Sequence, residues 1–178
     1  MVFLLYTNFY IKFMNKAQRV GISFGLTSAT MTTLGLIIGL EVSTGSKMAV
    51  VAGVLTIAIA DAFSDAFGVH LAKESEGNFD NQELRQVTVY TFIYKFIFAL
   101  TFLIPILILE MPWSLYIAII WAIIVLVALN YYIAKSNNKK PGPVILEHGL
   151  IAVIVILLSW GAGLLIAYLF NEYCFISS

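Results

Sequence analysis

Two aspartates lie inside a long apolar run of the chain, where a negative charge needs a physical reason. The run covers residues 47–76, KMAVVAGVLTIAIADAFSDAFGVHLAKESE, and contains Asp61 and Asp65. A carboxylate at the centre of a membrane-spanning helix costs about 2.5–3.5 kcal/mol on the insertion scale. The spacing i,i+4 places both side chains on one side of a helix. We therefore expect the pair to contact a cation.

Further polar groups occur in the apolar segments before and after this run. Lys95 lies at a membrane depth similar to that of Asp65, so an Asp65–Lys95 pair is expected, whereas Asp61 has no obvious partner. Alternatively, the Lys95 side chain extends to the membrane surface. Hydroxyl groups of the first apolar segment would line a polar path, or would only bond their own helix backbone. These residues are Ser23, Thr27, Ser28 and Thr32.

A second group of metal-binding residue types clusters at one end of the apolar segments. Its candidate ligands are His70, Glu74, Glu76, Glu147 and His148, with Asp80 and Glu83 nearby. Imidazole together with carboxylate suits Fe(II), Mn(II) or Zn(II). His70 and Glu74 are spaced i,i+4 and would share one ion. The alternative is that these acidic residues are simply solvated.

The composition predicts an all-α integral membrane protein with one transmembrane domain. Of 178 residues, 61% are hydrophobic and 11% are charged, against about 25% charged in soluble domains. Five segments are long enough to span a bilayer. They cover about residues 20–40, 48–72, 87–109, 113–134 and 148–170. A net charge of zero gives no indication of nucleic-acid binding.

The positions of basic residues predict the orientation of the chain. Lysine and arginine concentrate before span one, between spans two and three, and between spans four and five. The positive-inside rule then places the N-terminus in the cytoplasm and the C-terminus outside. Residues 1–13 are expected to form an interfacial, aromatic-rich lead-in, and we expect a prokaryotic cell membrane because no targeting segment is found. The single cysteine, Cys174, excludes an internal disulfide framework.

Two backbone features are expected to shape the spans. The first span carries small residues at a 4-3-4-3-4 spacing, which favours close helix contact within the subunit or between subunits. They are Gly21, Gly25, Ser28, Thr32, Gly35 and Gly39. Pro105 is expected to kink the outer half of span three, because proline cannot donate a helical hydrogen bond. Spans four and five look like packing elements.

Residues 21–28, GISFGLTS, and 60–76, ADAFSDAFGVHLAKESE, resemble the vacuolar iron transporter family. That family is marked by a G-x-S-D-G-L-T-type first span and by a second span that ends in a glycine-rich turn and a K-S-E-like exit. The resemblance covers spans one to three and agrees with the five-span layout. It implies export of divalent iron or manganese from the cytoplasm in exchange for protons. It also implies a homodimer whose first spans line the path at the interface.

The chain departs from the family pattern at the positions that would bind metal. Phe24 stands where the family has its first-span aspartate, and Asp65 stands where it has its second-span methionine. The long glutamate-rich cytoplasmic insert is absent, and Glu74 and Glu76 match only its first part. We therefore expect a compact, divergent member in which Asp65, with Asp61, replaces the lost ligand.

The leading functional prediction is a divalent transition-metal transporter, not an enzyme. Its substrate would be Fe²⁺ or Mn²⁺, it would hold no permanent cofactor, and proton and metal would compete for its carboxylates. Two alternatives stay open. Asp61 and Asp65 form a D-x-x-x-D pattern, which membrane prenyltransferases use to hold Mg²⁺ and a diphosphate, although no second such pattern occurs. Otherwise the protein is a non-transporting structural membrane component.

Overall fold

The structure, a computed structural model, describes residues 15–176 and the side chains of residues 15–170. The lead-in predicted for residues 1–13 and the side chain of Cys174 therefore lie outside the described residues. The described part of the chain is helical and contains no strand. Its helices are α1 Lys16–Thr44, α2 Lys47–Glu76, α3 Asn81–Thr101, α4 Leu103–Ile108, α5 Trp113–Ser136 and α6 Pro141–Ile176.

Within residues 15–176, five helical segments are long and apolar enough to cross a membrane, which confirms the predicted number of spans for this part of the chain. Four of them are α1, α2, α5 and the 141–170 part of α6, and the remaining one is α3 continued by α4. A helix suits such a segment because no water in the bilayer core can satisfy an exposed backbone group. The protein is therefore an integral membrane protein, with five helical spans in the described residues.

The helices extend several residues beyond the predicted span ends because the polar linkers supply caps. Asn15 and Gln18 exchange side-chain and backbone hydrogen bonds at the start of α1, and Asp80 and Glu83 do the same at the start of α3. Gly77 ends α2 with a φ of 67°, a backbone conformation that suits glycine. Asp80 and Glu83 thus start a helix, which explains two acids of the linker without a metal.

The third span is interrupted near its C-terminal end, as Pro105 predicts. Phe102 joins α3 to α4, and Pro105 has no N–H to donate to the carbonyl of Thr101. At the end of α4, the Lys47 ammonium donates to the carbonyl oxygens of Leu107 and Leu109, at 3.3 and 3.0 Å. The end of α4 is therefore stabilised by a cation, at the end of the bundle opposite the basic linkers.

Helix α1 is the centre of the bundle and packs against α2, α3, α5 and α6. A Cβ at Gly25 would lie 2.8 Å from the Thr91 carbonyl oxygen of α3, so only glycine permits this approach. At Gly35 an added Cβ would meet Ser159 Oγ of α6 at 2.9 Å. The small-residue stripe thus serves contacts within the subunit, with one part facing α3 and another facing α6.

Replacing Gly25 tests this close approach. We expect Gly25→Ala to destabilise the protein by about 1–3 kcal/mol, because the new methyl group overlaps the backbone of α3. The measurement is thermal unfolding of the detergent-purified protein. Gly68→Ala is the control, since a Cβ there meets no atom within 4 Å and alanine favours a helix. Equal melting temperatures for the two variants would contradict the packing.

Candidate functional site

Four polar side chains from three helices meet in the middle of the bundle. Ser28 comes from α1, Asp61 and Asp65 from α2, and Lys95 from α3. At 1.5 Å per residue, Ser28, Asp65 and Lys95 lie about 17–21 Å from the basic-linker ends of their helices. The hydrocarbon core is about 30 Å thick, so the cluster lies well inside it.

Two features of the helices allow this meeting. Ala58, Ala62 and Ala66 form the buried stripe of α2 beside the aspartates, and their small side chains let α2 lie close to its neighbours. On α1, Gly25 lets the backbone of α3 come so near that a Cβ added to Gly25 would lie 3.2 Å from the backbone nitrogen of Lys95. Small residues on both sides therefore bring Lys95 within reach of Ser28 and Asp65.

The Lys95 ammonium is shared among three oxygen-bearing side chains. It donates hydrogen bonds to Asp65 Oδ2 and, at 2.8 Å, to Ser28 Oγ, while Ser28 Oγ donates in turn to Asp65 Oδ2. Asp61 Oδ2 lies 2.5 Å from Lys95 Nζ as an ion pair. That contact lacks hydrogen-bond geometry, and Asp61 Oδ2 is otherwise without a partner. The short distance still makes the ammonium its counter-charge.

These contacts decide between the alternatives for Lys95. The predicted Asp65–Lys95 pair is confirmed. The expectation that Asp61 lacks a partner is wrong, because one ammonium serves both carboxylates. The Lys95 side chain does not extend to the membrane surface, since it is only 1% exposed. Sequence reasoning treated Ser28 as one of several hydroxyls and did not single out its bonds to the charged groups.

The charges of the cluster do not balance. Two carboxylates face one ammonium, which leaves one negative charge. The aspartate side chains are also not sealed: Asp61 is 24% and Asp65 22% exposed, in contrast to Lys95. A cluster that only fixed packing would be expected to close completely, because partial burial of an excess charge is costly.

Asp61 opens onto a shallow groove along α2, with Leu36 of α1 at its side. The groove has a volume of about 570 Å³, and its polar lining consists of Thr56, Asp61 and Ser64. It continues along α2 to Ala52, about 13 Å from Asp61 at 1.5 Å per residue, toward the end opposite the basic linkers. A larger groove of about 880 Å³ lies between α3 and α5 and does not reach the cluster.

Of the other three hydroxyl residues in the predicted path, one bonds to its own helix and two are partly exposed. Thr32 Oγ1 donates to the Ser28 carbonyl at 2.9 Å, so it bonds its own helix, as the alternative reading allowed. Ser23 and Thr27 are partly exposed. Phe24 is 42% exposed at the bundle surface, one helical turn before Ser28. Ser28 is thus the hydroxyl of the predicted path that contacts the charge cluster.

The candidate ligands near the basic linkers are engaged separately. His70 Nδ1 lies 2.8 Å from Thr88 Oγ1 of α3, and His148 Nδ1 lies 2.9 Å from the Val144 carbonyl. Glu76 pairs with Lys73 on its own helix at 2.5 Å. Glu74 and Glu147 are exposed. Within residues 15–170 no three His, Cys, Asp or Glu side chains come together as a metal site.

One acidic residue was missed by the sequence analysis. Glu41 lies in the last turns of α1, and its Oε2 atom is buried with no hydrogen-bond partner. A signal existed, since Glu41 directly follows the apolar run of span one. Glu41 lies just beyond the predicted end of span one, near residue 40, because a charged residue usually marks the end of a span.

The fold and the cluster define a helical membrane protein with an unequal set of charges inside its span region. Comparison with known proteins adds no relative: no family model, no curated protein and no solved structure matches the chain.

Removing the shared ammonium tests how the cluster is held together. We expect Lys95→Met to destabilise the protein by about 3 kcal/mol, because two carboxylates then face each other without a counter-charge. Adding Asp61→Asn and Asp65→Asn to that variant removes the repulsion and should recover much of the loss. The measurement is the melting temperature in detergent. A triple variant no more stable than Lys95→Met would contradict the shared counter-charge.

Proposed function

We propose that the protein transports a divalent transition metal, Mn²⁺ or Fe²⁺, across the membrane in exchange for protons. The observation that carries the proposal is the excess negative charge at Asp61 and Asp65, held inside the span region and partly exposed. Ionisable residues inside a membrane domain commonly mark the path of an ion or proton. The resemblance to the vacuolar iron transporter family supports the same cargo.

The chemistry of the cluster suits such a cargo. Asp61, Asp65 and Ser28 offer only oxygen atoms, a donor set that suits Mn²⁺ well. Three side-chain ligands leave room for water in the coordination sphere of the ion. Partial retention of water is favourable for a transporter, because a site that binds too tightly does not release its ion.

The Lys95 ammonium would compete with a bound metal ion for the carboxylates of Asp61 and Asp65. A divalent cation bound between Asp61 and Asp65 would replace the ammonium as their counter-charge. The ammonium would then retain its hydrogen bond to Ser28. Because a carboxylate must be deprotonated to bind a metal, metal and protons would compete for the same pair of carboxylates.

Two features support transport out of the cytoplasm. Basic residues concentrate at the end of the bundle where α1 begins, and the positive-inside rule assigns that end to the cytoplasm. The groove beside Asp61 extends toward the opposite end. We propose that this groove is the outward route, so that export follows. The homodimer through α1 that the resemblance implies remains part of the proposal, with Phe24 on the exposed side of that helix.

Flux through the purified protein is the direct test. Asp61→Asn and Asp65→Asn should each reduce Mn²⁺ and Fe²⁺ flux in proteoliposomes at least tenfold, because losing one charged ligand costs more than about 1.4 kcal/mol of binding. Glu110→Gln, an exposed acid in the loop before α5, is the control and should leave flux unchanged. Flux that persists in both aspartate variants would refute the site, and no flux in the native protein would favour a structural role.

Metal binding without transport gives an independent test. Mn²⁺ and Fe²⁺ should raise the melting temperature of the native protein in detergent, because a ligand that binds only the folded form stabilises it. Asp65→Asn should lose this rise while Glu110→Gln keeps it. Lowering the pH should weaken the rise, since protons compete with the metal. A rise of equal size in Asp65→Asn would place the metal elsewhere.

A further inference from the structure

The groove between α3 and α5 is wedge-shaped: the two helices touch at one end and diverge toward the other. We call this groove the wedge. Near the outer side, the Trp121 indole donates to Thr101 Oγ1 at 3.0 Å, and its ring stacks on Phe98 with centroids 6.0 Å apart. From this contact the groove runs between α3 and α5 to the end of α5, with Leu26 of α1 also in its lining. Its volume is about 880 Å³.

The length and lining of the wedge suit a fatty acyl chain. Trp121 and Lys135 lie about 21 Å apart along α5, at 1.5 Å per residue. Between them the lining is aliphatic or aromatic, and no acidic residue lines the groove. In a membrane protein a groove of this kind lies beside the hydrocarbon of the bilayer, so its apolar part needs no protein partner.

The open end of the wedge carries positive charge and aromatic rings. Lys135 and Tyr131 line it, with Lys135 Nζ 5.9 Å from the Tyr131 ring centroid. Tyr132 also lines it. Within the described residues Lys135 forms no ion pair with an acid. Cations and tyrosines at this depth are typical of the headgroup level.

We propose that this wedge is a binding site for an anionic phospholipid of the leaflet at the basic end of the bundle. One acyl chain lies between α3 and α5 and ends at Trp121, and the phosphate-bearing headgroup lies at Lys135. The charge decides the class of lipid, because a basic residue near the membrane surface attracts anionic headgroups. This site is separate from the Asp61–Asp65–Lys95 cluster, so it does not depend on the proposed transport.

Thermal unfolding in detergent with two lipids of identical chains tests the headgroup. Dioleoyl-phosphatidylglycerol should raise the melting temperature by several degrees and with saturation, whereas dioleoyl-phosphatidylcholine should do so weakly. Glycerol 3-phosphate alone should give no rise, because it lacks the acyl chain. Equal rises with both lipids, or a full rise with glycerol 3-phosphate, would overturn the proposal.

Two pairs of variants locate the lipid. Lys135→Gln should remove most of the phosphatidylglycerol effect, and Lys140→Gln, which removes the same charge outside the groove, should keep it. Ala128→Phe should fill the groove and abolish the effect, while Val127→Phe on the neighbouring exposed position should not. Equal losses within either pair would overturn the site. Cross-linking between two copies of an Ile124→Cys variant through that position would also overturn it, since a second copy would then occupy the groove.

Discussion

The ammonium of Lys95 is the group on which the arrangement of this bundle depends. A lysine that is 1% exposed inside an apolar helix bundle requires negative partners at the same depth. Asp61 and Asp65 supply them from α2, and Ser28 supplies a neutral acceptor from α1. Because these groups come from three helices, satisfying one cation sets the relative depth of all three.

That constraint explains why small residues occupy so much of the helix surfaces. Lysine is long, but its head reaches Ser28 and both aspartates only when the helix axes are close. Gly25 on α1 and the alanine stripe at 58, 62 and 66 on α2 provide this proximity. The small residues that favour helix contact are thus also the ones that bring the polar side chains within contact distance of one another.

The interaction of Lys95 with Asp61 and Asp65 stabilises the fold but does not neutralise both carboxylates. One ammonium neutralises one of two carboxylates, and the remaining charge lies next to a groove with hydroxyl groups along it. A closed ion pair would have no capacity for a further cation, whereas this cluster has both charge and access. The separate groove between α3 and α5 has the opposite character, with an apolar interior and one cation, Lys135, at its mouth. The two grooves therefore favour different ligands.

Much of the fold could be predicted from the sequence because each span is defined by its own residues. Length and hydropathy identify a span without reference to its neighbours, and the i,i+4 spacing of Asp61 and Asp65 places both on one helix side. The break at Pro105 and the Asp65–Lys95 pair also followed, the first from a missing N–H and the second from matching depth. These are local properties or simple counts along a helix axis.

Only the tertiary structure decided how the spans face one another. Depth can be counted along a chain, but the rotation of each helix about its axis is set by packing against the others. For this reason the sequence did not reveal that Lys95 also serves Asp61, or that Ser28 alone among the predicted path hydroxyls joins the cluster. It also did not reveal that His70, Glu76 and His148 are engaged with separate partners. Whether two carboxylates share one counter-charge depends on the distances between helices. The sequence of a single helix does not determine those distances.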